Sequence, residues 1–276
     1  MATFATEIKR VYSDGLLKYG FKKIKGKQPY FVRPIGDEIV HIITYRTCPT
    51  IIRGHKEFVI YGGIATVYRA CINLEKAPRD NGVWLDEISN FYVKSNRSNI
   101  DKDLLHKIKN LSYEEGDEET MLERIKYSFE MIEKFVIPQL NKVVSIKKCV
   151  EFFDKYNTYL LNVYEKNFGK GQNGYDYNEG LLNIFMYTVD EYIENEKRIY
   201  ERSNENNLYE MKIGRSGLSM EDYEKNREDR KRGMERQINI FEKMVNDPEE
   251  HQKVMEEIER RKIFNIEILR NYGIDI

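Results

Sequence analysis

An α+β fold is predicted by two observations: apolar residues alternate one-in-two through residues 21–69, and recur at three- and four-residue steps on either side of that stretch. The first rhythm belongs to strands and the second to helices. In full, the expectation is an N-terminal helix plus an antiparallel sheet packed by helices, followed by a C-terminal all-α extension. With 276 residues, 41% of them hydrophobic, the chain can bury a core without covalent staples. The expected organisation is an α+β domain over 1–168 and a helical extension over 169–276, with a polar linker or arm near 203–235.

Phe4, Ile8, Val11, Tyr12 and Leu16 fall on one face of a first helix, and Gly20 is placed to end it. Tyr30 and Val32, then Ile39, His41, Ile43 and Tyr45, then Phe58, Ile60, Ile64 and Tyr68 take alternate positions rich in β-branched and aromatic side chains. Breaks at Gly26, at Pro34 to Asp37 and at Cys48 to His55 make these strands an antiparallel meander with one face under the helix. From Asn73 to Asn99 the chain holds Pro78, Gly82 and many polar residues, so irregular structure tethered by Trp84 and Phe91 is expected.

Beyond Asp101 the pattern is helical almost to the end. Leu122, Ile125, Phe129, Ile132, Val136, Leu140 and Val143 form a sustained stripe that Pro138 should kink. Further stripes start at Ile146 and Leu181. Ser219 with Asp222 resembles a capping box, and Asp247, Pro248 and Glu250 supply a cap, an N1 proline and an N3 carboxylate. Met234, Ile238, Phe241 and Val245 are expected to face Val254, Ile258, Ile266 and Leu269 as an antiparallel hairpin. Residues 221–232, nearly all charged, read as a solvated helix held by charge pairs or as a mobile element.

The run from Leu16 to Arg33, with its helix, Gly-Phe-Lys-Lys step and aromatic strand, resembles the opening of a bacterial family, domain of unknown function 4304. The strand Ile39–Thr47 and the helix 125–143, with Pro138 near its end and a short link to Ser145–Phe153, carry the resemblance to about residue 160. Where the family strand often ends in Gln before a basic residue, this chain has Tyr45 before Arg46, and the helices beyond 175 lie outside the pattern. The resemblance implies a compact α+β domain and brings no established reaction with it.

Composition excludes several classes. Lys+Arg number 45 and Asp+Glu 46, but residues 1–60 carry a net +6 and residues 170–276 a net −6. The first segment falls short of the dense basic stripe of a nucleic-acid-binding domain, and Lys22, Lys23, Lys25 and Lys27 read as the solvated rim of a turn. Cys48, Cys71 and Cys149 are too few and too scattered for a disulfide framework, which fits a cytoplasmic location. The longest weakly polar run, Phe58–Tyr68, is shorter than the ~18 residues a membrane span needs, and the chain start lacks a signal-peptide pattern. GlyLysGlyGlnAsnGly at 169–174 matches a dinucleotide fingerprint in letters, but a helical stripe rather than a strand precedes it. His41, His55, His106 and His251 have no metal-ligand spacing. No metal or cofactor is expected. Cys48 near His55 invites a thiolate–imidazole reading, with a strand end as the plainer one.

What remains is a sheet-based set: His41 and Tyr45 on one strand face, Arg46, Tyr61 and Arg69 on the other, and Trp84 in the adjoining loop. Tyr and Arg on a sheet can stack bases or clamp anions; more often they cover the sheet and reach out to water. Of the 20 tyrosines, six crowd between Tyr156 and Tyr187, and such numbers also suit a contact surface. The expected function is a cytoplasmic binding or interaction protein, of an inhibitor- or immunity-like kind, with a protein partner or a homodimer formed through the C-terminal helices. The alternative is a hydrolase or nucleic-acid-processing enzyme, in which His41 or His55 converges with Asp86 or Glu87 beside the Trp84 loop.

Overall fold

The computed structural model describes residues 3–26, 28–50, 52–68, 71–75, 84–96, 99–149, 151–152, 180–185, 187–212, 214 and 216–276. The chain is α+β. It divides into two compact units, one of residues 1–178 with 260–276 and one of residues 179–259. The expected boundary at 168/169 lies outside the described residues, and residues 260–276 belong to the first unit.

The first unit opens with helix α1 (Phe4–Leu17), started by Thr3, whose hydroxyl accepts from the Thr6 amide. Ile8, Tyr12 and Leu16 are its buried stripe. Gly20, at φ +81°, turns the chain so that the Phe21 amide reaches the Leu16 carbonyl, as a helix-ending glycine does. A six-stranded antiparallel sheet follows: β1 (Lys22–Lys23), β2 (Phe31–Ile35), β3 (Ile39–Cys48) and β4 (His55–Thr66) pair in sequence. The other edge of β4 takes β5 (Trp84–Glu87) at one end and β6 (Ser112–Glu114) at the other. Register pairs Ile39 with Thr66 and Cys48 with Glu57.

Both sheet faces are buried at the Ile39 end, so β3 is inaccessible from Ile39 through Thr44 rather than on alternate residues. One face, holding Phe31, His41, Ile43, Phe58 and Ile60, lies under α1 and under α4 (Glu118–Met131), a π-helical turn (Ile132–Val136) and α5 (Ile137–Leu140). Gly15 permits the contact between α1 and α4, since a Cβ there would enter the Phe129 ring. At Gly62 a Cβ would stand 2.6 Å from Val136 Cγ1. The π turn abuts Pro138, which lacks the amide needed to continue the ladder, so the expected kink takes the form of a widened turn.

Three elements differ from expectation. Residues 84–95 are ordered as β5 and helix α2 (Ile88–Ser95), not irregular, and β6 interrupts the helical region after α3 (Lys102–Lys109). Pro34 lies inside β2, opposite Val40, and the turn falls at Gly36. Asn265 lies near the end of β4: its amide donates to the Val67 carbonyl at 2.8 Å and accepts from the Ile72 amide at 2.8 Å. Leu269 and Ile274 are buried, and the Tyr272 carbonyl accepts from the Lys25 amide.

The second unit is built on helix α6 (Val189–Lys212) and helix α7 (Met220–Asn246), packed antiparallel, with Tyr192 stacked on Phe241 at 4.0 Å. The capping box of Ser219 and Asp222 is present. Residues 221–232 are thus a solvated helix, carrying Arg227–Glu224 and Arg232–Asp229 pairs three residues apart. The hairpin expected between α7 and helix α8 (Pro248–Asn271) gives way to this α6–α7 pairing. Met234 and Ile238 are half-buried and Val254 and Ile258 are buried in the second unit, while Leu269 is buried in the first. Among the described residues, no helix is long and apolar enough to cross a membrane.

Candidate functional site

His41 is fully buried, and both of its ring nitrogens are engaged. Arg33 Nη2 lies 2.8 Å from Nδ1, and Nε2 lies 2.9 Å from the Val143 carbonyl. A guanidinium has only donors and a carbonyl only lone pairs, so Nδ1 accepts, Nε2 carries the proton, and the ring is neutral. Burial, then the Arg33 charge, lowers its pKa to about 3. Arg33 also donates to the Tyr19 carbonyl at 3.0 Å and to Asn141 Oδ1 at 2.7 Å, with its guanidinium over the Phe21 ring. This set ties α1, β2 and β3 to the end of α5. It joins elements; it leaves no lone pair of His41 for a substrate.

Tyr45 shares the His41 face as expected, but it packs edge-on to Phe4 at 5.8 Å and to Tyr12 at 6.3 Å. Burial raises its pKa and that of Tyr12, whose hydroxyl bonds Ser128 Oγ at 2.7 Å. Arg46 and Tyr61 do share the opposite face, in neighbouring registers: Thr44 pairs with Tyr61, Tyr61 with Glu87, and Arg46 with Val59. Arg46 Nη2 donates to Cys48 Sγ at 3.6 Å, and Cys48, Tyr61 and Glu87 together raise its pKa. Thr44 Oγ1 and Arg46 Nε are buried without a hydrogen-bond partner among the described residues. Trp84 pairs with Ile64 through its backbone; its side chain, Arg69, the 169–174 loop and the tyrosines from 156 to 177 lie outside the described residues.

The acid–base pairs of the enzyme alternative are not brought together. His41 is turned toward β2, whereas Asp86 on β5 lies on the far side of β4, roughly 10 Å of sheet away. Asp86 accepts from the Glu87 amide at 2.7 Å and from Asn90 at 2.5 Å, at the start of α2. His55 and the Glu87 register partner, Tyr61, are separated by about 20 Å of strand. Cys48 pairs with Glu57, with its sulfur held by Arg46 rather than by His55. Among the described residues, no three His, Cys, Asp or Glu side chains are grouped to hold a metal ion.

A second locus, which the sequence reading did not single out, is a cleft of about 470 Å³ between α6 and α7 near their connecting turn. Tyr200, Leu208, Met220 and Tyr223 supply its apolar lining, and Glu201, Glu205, Glu224 and Arg227 its charges. Beneath it, Arg230 Nε donates to Asn204 Oδ1 at 2.9 Å, and the Tyr223 hydroxyl donates to the Asn204 carbonyl at 3.3 Å. Arg227 is held by Tyr200 and by Glu224. Met220 is 56% exposed, Tyr209 54% and Leu218 38%, all close to this turn. The only signal in the sequence was a lone cluster of apolar anchors, Tyr209, Met211, Ile213 and Leu218, inside a polar run. Comparison of the chain with protein-family models, with curated proteins and with solved structures found no match.

Proposed function

We propose that this chain is a binding and interaction protein whose contact surface is the turn end of the α6–α7 hairpin. The observation that carries this reading is the grouped exposure of Tyr209, Leu218 and Met220 beside a cleft, where the other exposed large apolar residues of the two helices, Ile199 and Ile240, stand singly. Apolar side chains grouped within a polar rim mark contact surfaces, and an aromatic or a thioether adapts to a partner at low entropic cost. In its narrower form the reading is an inhibitor- or immunity-like role in the cytoplasm, which requires a shaped, charged surface and no catalytic group. The exposed thiol of Cys71 and the absence of a disulfide among Cys48, Cys71 and Cys149 support a reducing compartment. The resemblance of residues 5–160 to the domain-of-unknown-function family 4304 belongs to this reading and brings no reaction with it.

The test is capture from extract at mild salt by the full chain and by a Tyr209→Ser/Met220→Ser variant. A protein retained by the first and lost by the second is the expected result. Equal retention by both, or retention by neither, overturns the reading.

A further inference from the structure

We infer that the α6–α7 cleft takes a cationic, amphipathic peptide segment of a partner protein, an inference that rests on the contact-surface reading above and adds its chemistry. Three features of the cleft agree on that occupant. Glu201 and Glu205, one turn apart on α6, both line it, are exposed, and form no ion pair among the described residues. Two like charges at i and i+4 repel along the helix, and a Lys or Arg placed between them relieves that repulsion. Among the described residues the one cation lining the cleft, Arg227, is already held by Tyr200 and Glu224.

The second feature is Asn204, 9% exposed. Its Oδ1 must face Arg230, which has only donors, so the amide NH2 is the end left for the cleft that Asn204 lines. That group has no hydrogen-bond partner among the described residues, and a donor so placed calls for an acceptor, which a peptide carbonyl supplies. The third feature is the apolar lining of Leu208 and Tyr223 with the exposed Met220 at its mouth, which suits an aliphatic side chain. A purely basic ligand would leave that lining wet, and a purely apolar one would leave both carboxylates and the amide unmatched.

The probe is a fluorescein-labelled 14-residue peptide with Leu and Lys at helical spacing, titrated with the full chain by fluorescence anisotropy at 50 mM and 500 mM salt. Controls are the same peptide with Glu for Lys, and an all-Lys peptide. Expected are binding of the Leu/Lys peptide at least about tenfold tighter than either control, and an about tenfold loss in Glu201→Lys/Glu205→Lys or at high salt. Met220→Ala should weaken binding about threefold. Both substitutions lie on exposed positions, and circular dichroism would show the helices unchanged. Equal binding of all three peptides, or no effect of the charge reversal, overturns the inference. Preference for the Glu/Leu peptide overturns it while leaving the contact-surface reading standing. A concentration-dependent dimer in sedimentation, abolished by Met220→Ala and with no peptide bound, assigns the cleft to a second copy and likewise overturns it.

Discussion

The two units set their polar side chains in different surroundings. Around the sheet, both ring nitrogens of His41, both terminal nitrogens of Arg33 and the Asn265 amide meet carbonyls, amides or one another, whereas Arg33 Nε, Thr44 Oγ1 and Arg46 Nε are enclosed by packing without a partner among the described residues. In the hairpin, Glu201, Glu205 and the NH2 group of Asn204 line a cleft and form no ion pair or hydrogen bond among the described residues. Buried polar groups that are satisfied within the fold specify that fold, and those left unmatched at a concave surface are available to something else. The lesson is that the presence of a histidine or an arginine says little about function; what its nitrogens already touch says much more.

The sharpest way to test this contrast is through packing. Gly62→Val should cost ~3 kcal/mol or more in urea unfolding, because the new side chain would enter Val136 and Phe91 in a close-packed layer. Gly233→Ala, in α7 with nothing within 4 Å of the added carbon, should instead raise stability by ~0.5–1 kcal/mol. A tolerant Gly62 would break the picture of a tight sheet unit.

The next effect is on pH. The folded-state pKa of His41, about 3, lies below its unfolded value, so the unfolded chain binds the additional proton in between. The stability contributed by the neutral ring is therefore complete above about pH 6.5 and is lost as pH falls toward 3, with a slope approaching roughly 1.4 kcal/mol per pH unit. Urea midpoints from pH 4 to 8 check it. His41→Gln, which can still accept from Arg33 and donate to Val143, should remove that component of the slope. An unchanged slope would mean that His41 is not held neutral.

The smallest effect sharpens the other side of the comparison. Glu205→Gln removes one of two like charges a turn apart, so thermal unfolding should show a stability gain of about 0.2–0.5 kcal/mol. A loss would show that the carboxylate has an internal partner, against the role assigned to it.

Much of the fold was legible in the sequence because its longest elements carry their own period. The stripe of α1, the alternation of β3 and β4 and the proline near the end of the α4–α5 run all appear where pattern placed them. β5 and β6, of four and three residues, are too short to establish a period and exist by pairing with the edge of β4. The partner of α7 was ambiguous because the segments on both sides of it carry apolar stripes. The contacts between Asn204 and Tyr223 or Arg230, nineteen and twenty-six residues apart, hold α7 to α6 and leave no local signature. Among the candidate site residues, the separation of Tyr45 from Arg46 by face followed from strand parity. The engagement of His41 did not, since its partners Arg33 and Val143 lie 8 and 102 residues away.

The most direct test of the central claim is a lysine-reactive crosslinking map of the full chain bound to its captured partner. Lys212 closes α6 and Lys225 lies in the first turns of α7, close to the cleft, whereas Lys22, Lys56 and Lys102 belong to the sheet unit. The account predicts partner crosslinks from Lys212 and Lys225 and none from the other three. Crosslinks confined to Lys22, Lys56 or Lys102 would contradict it.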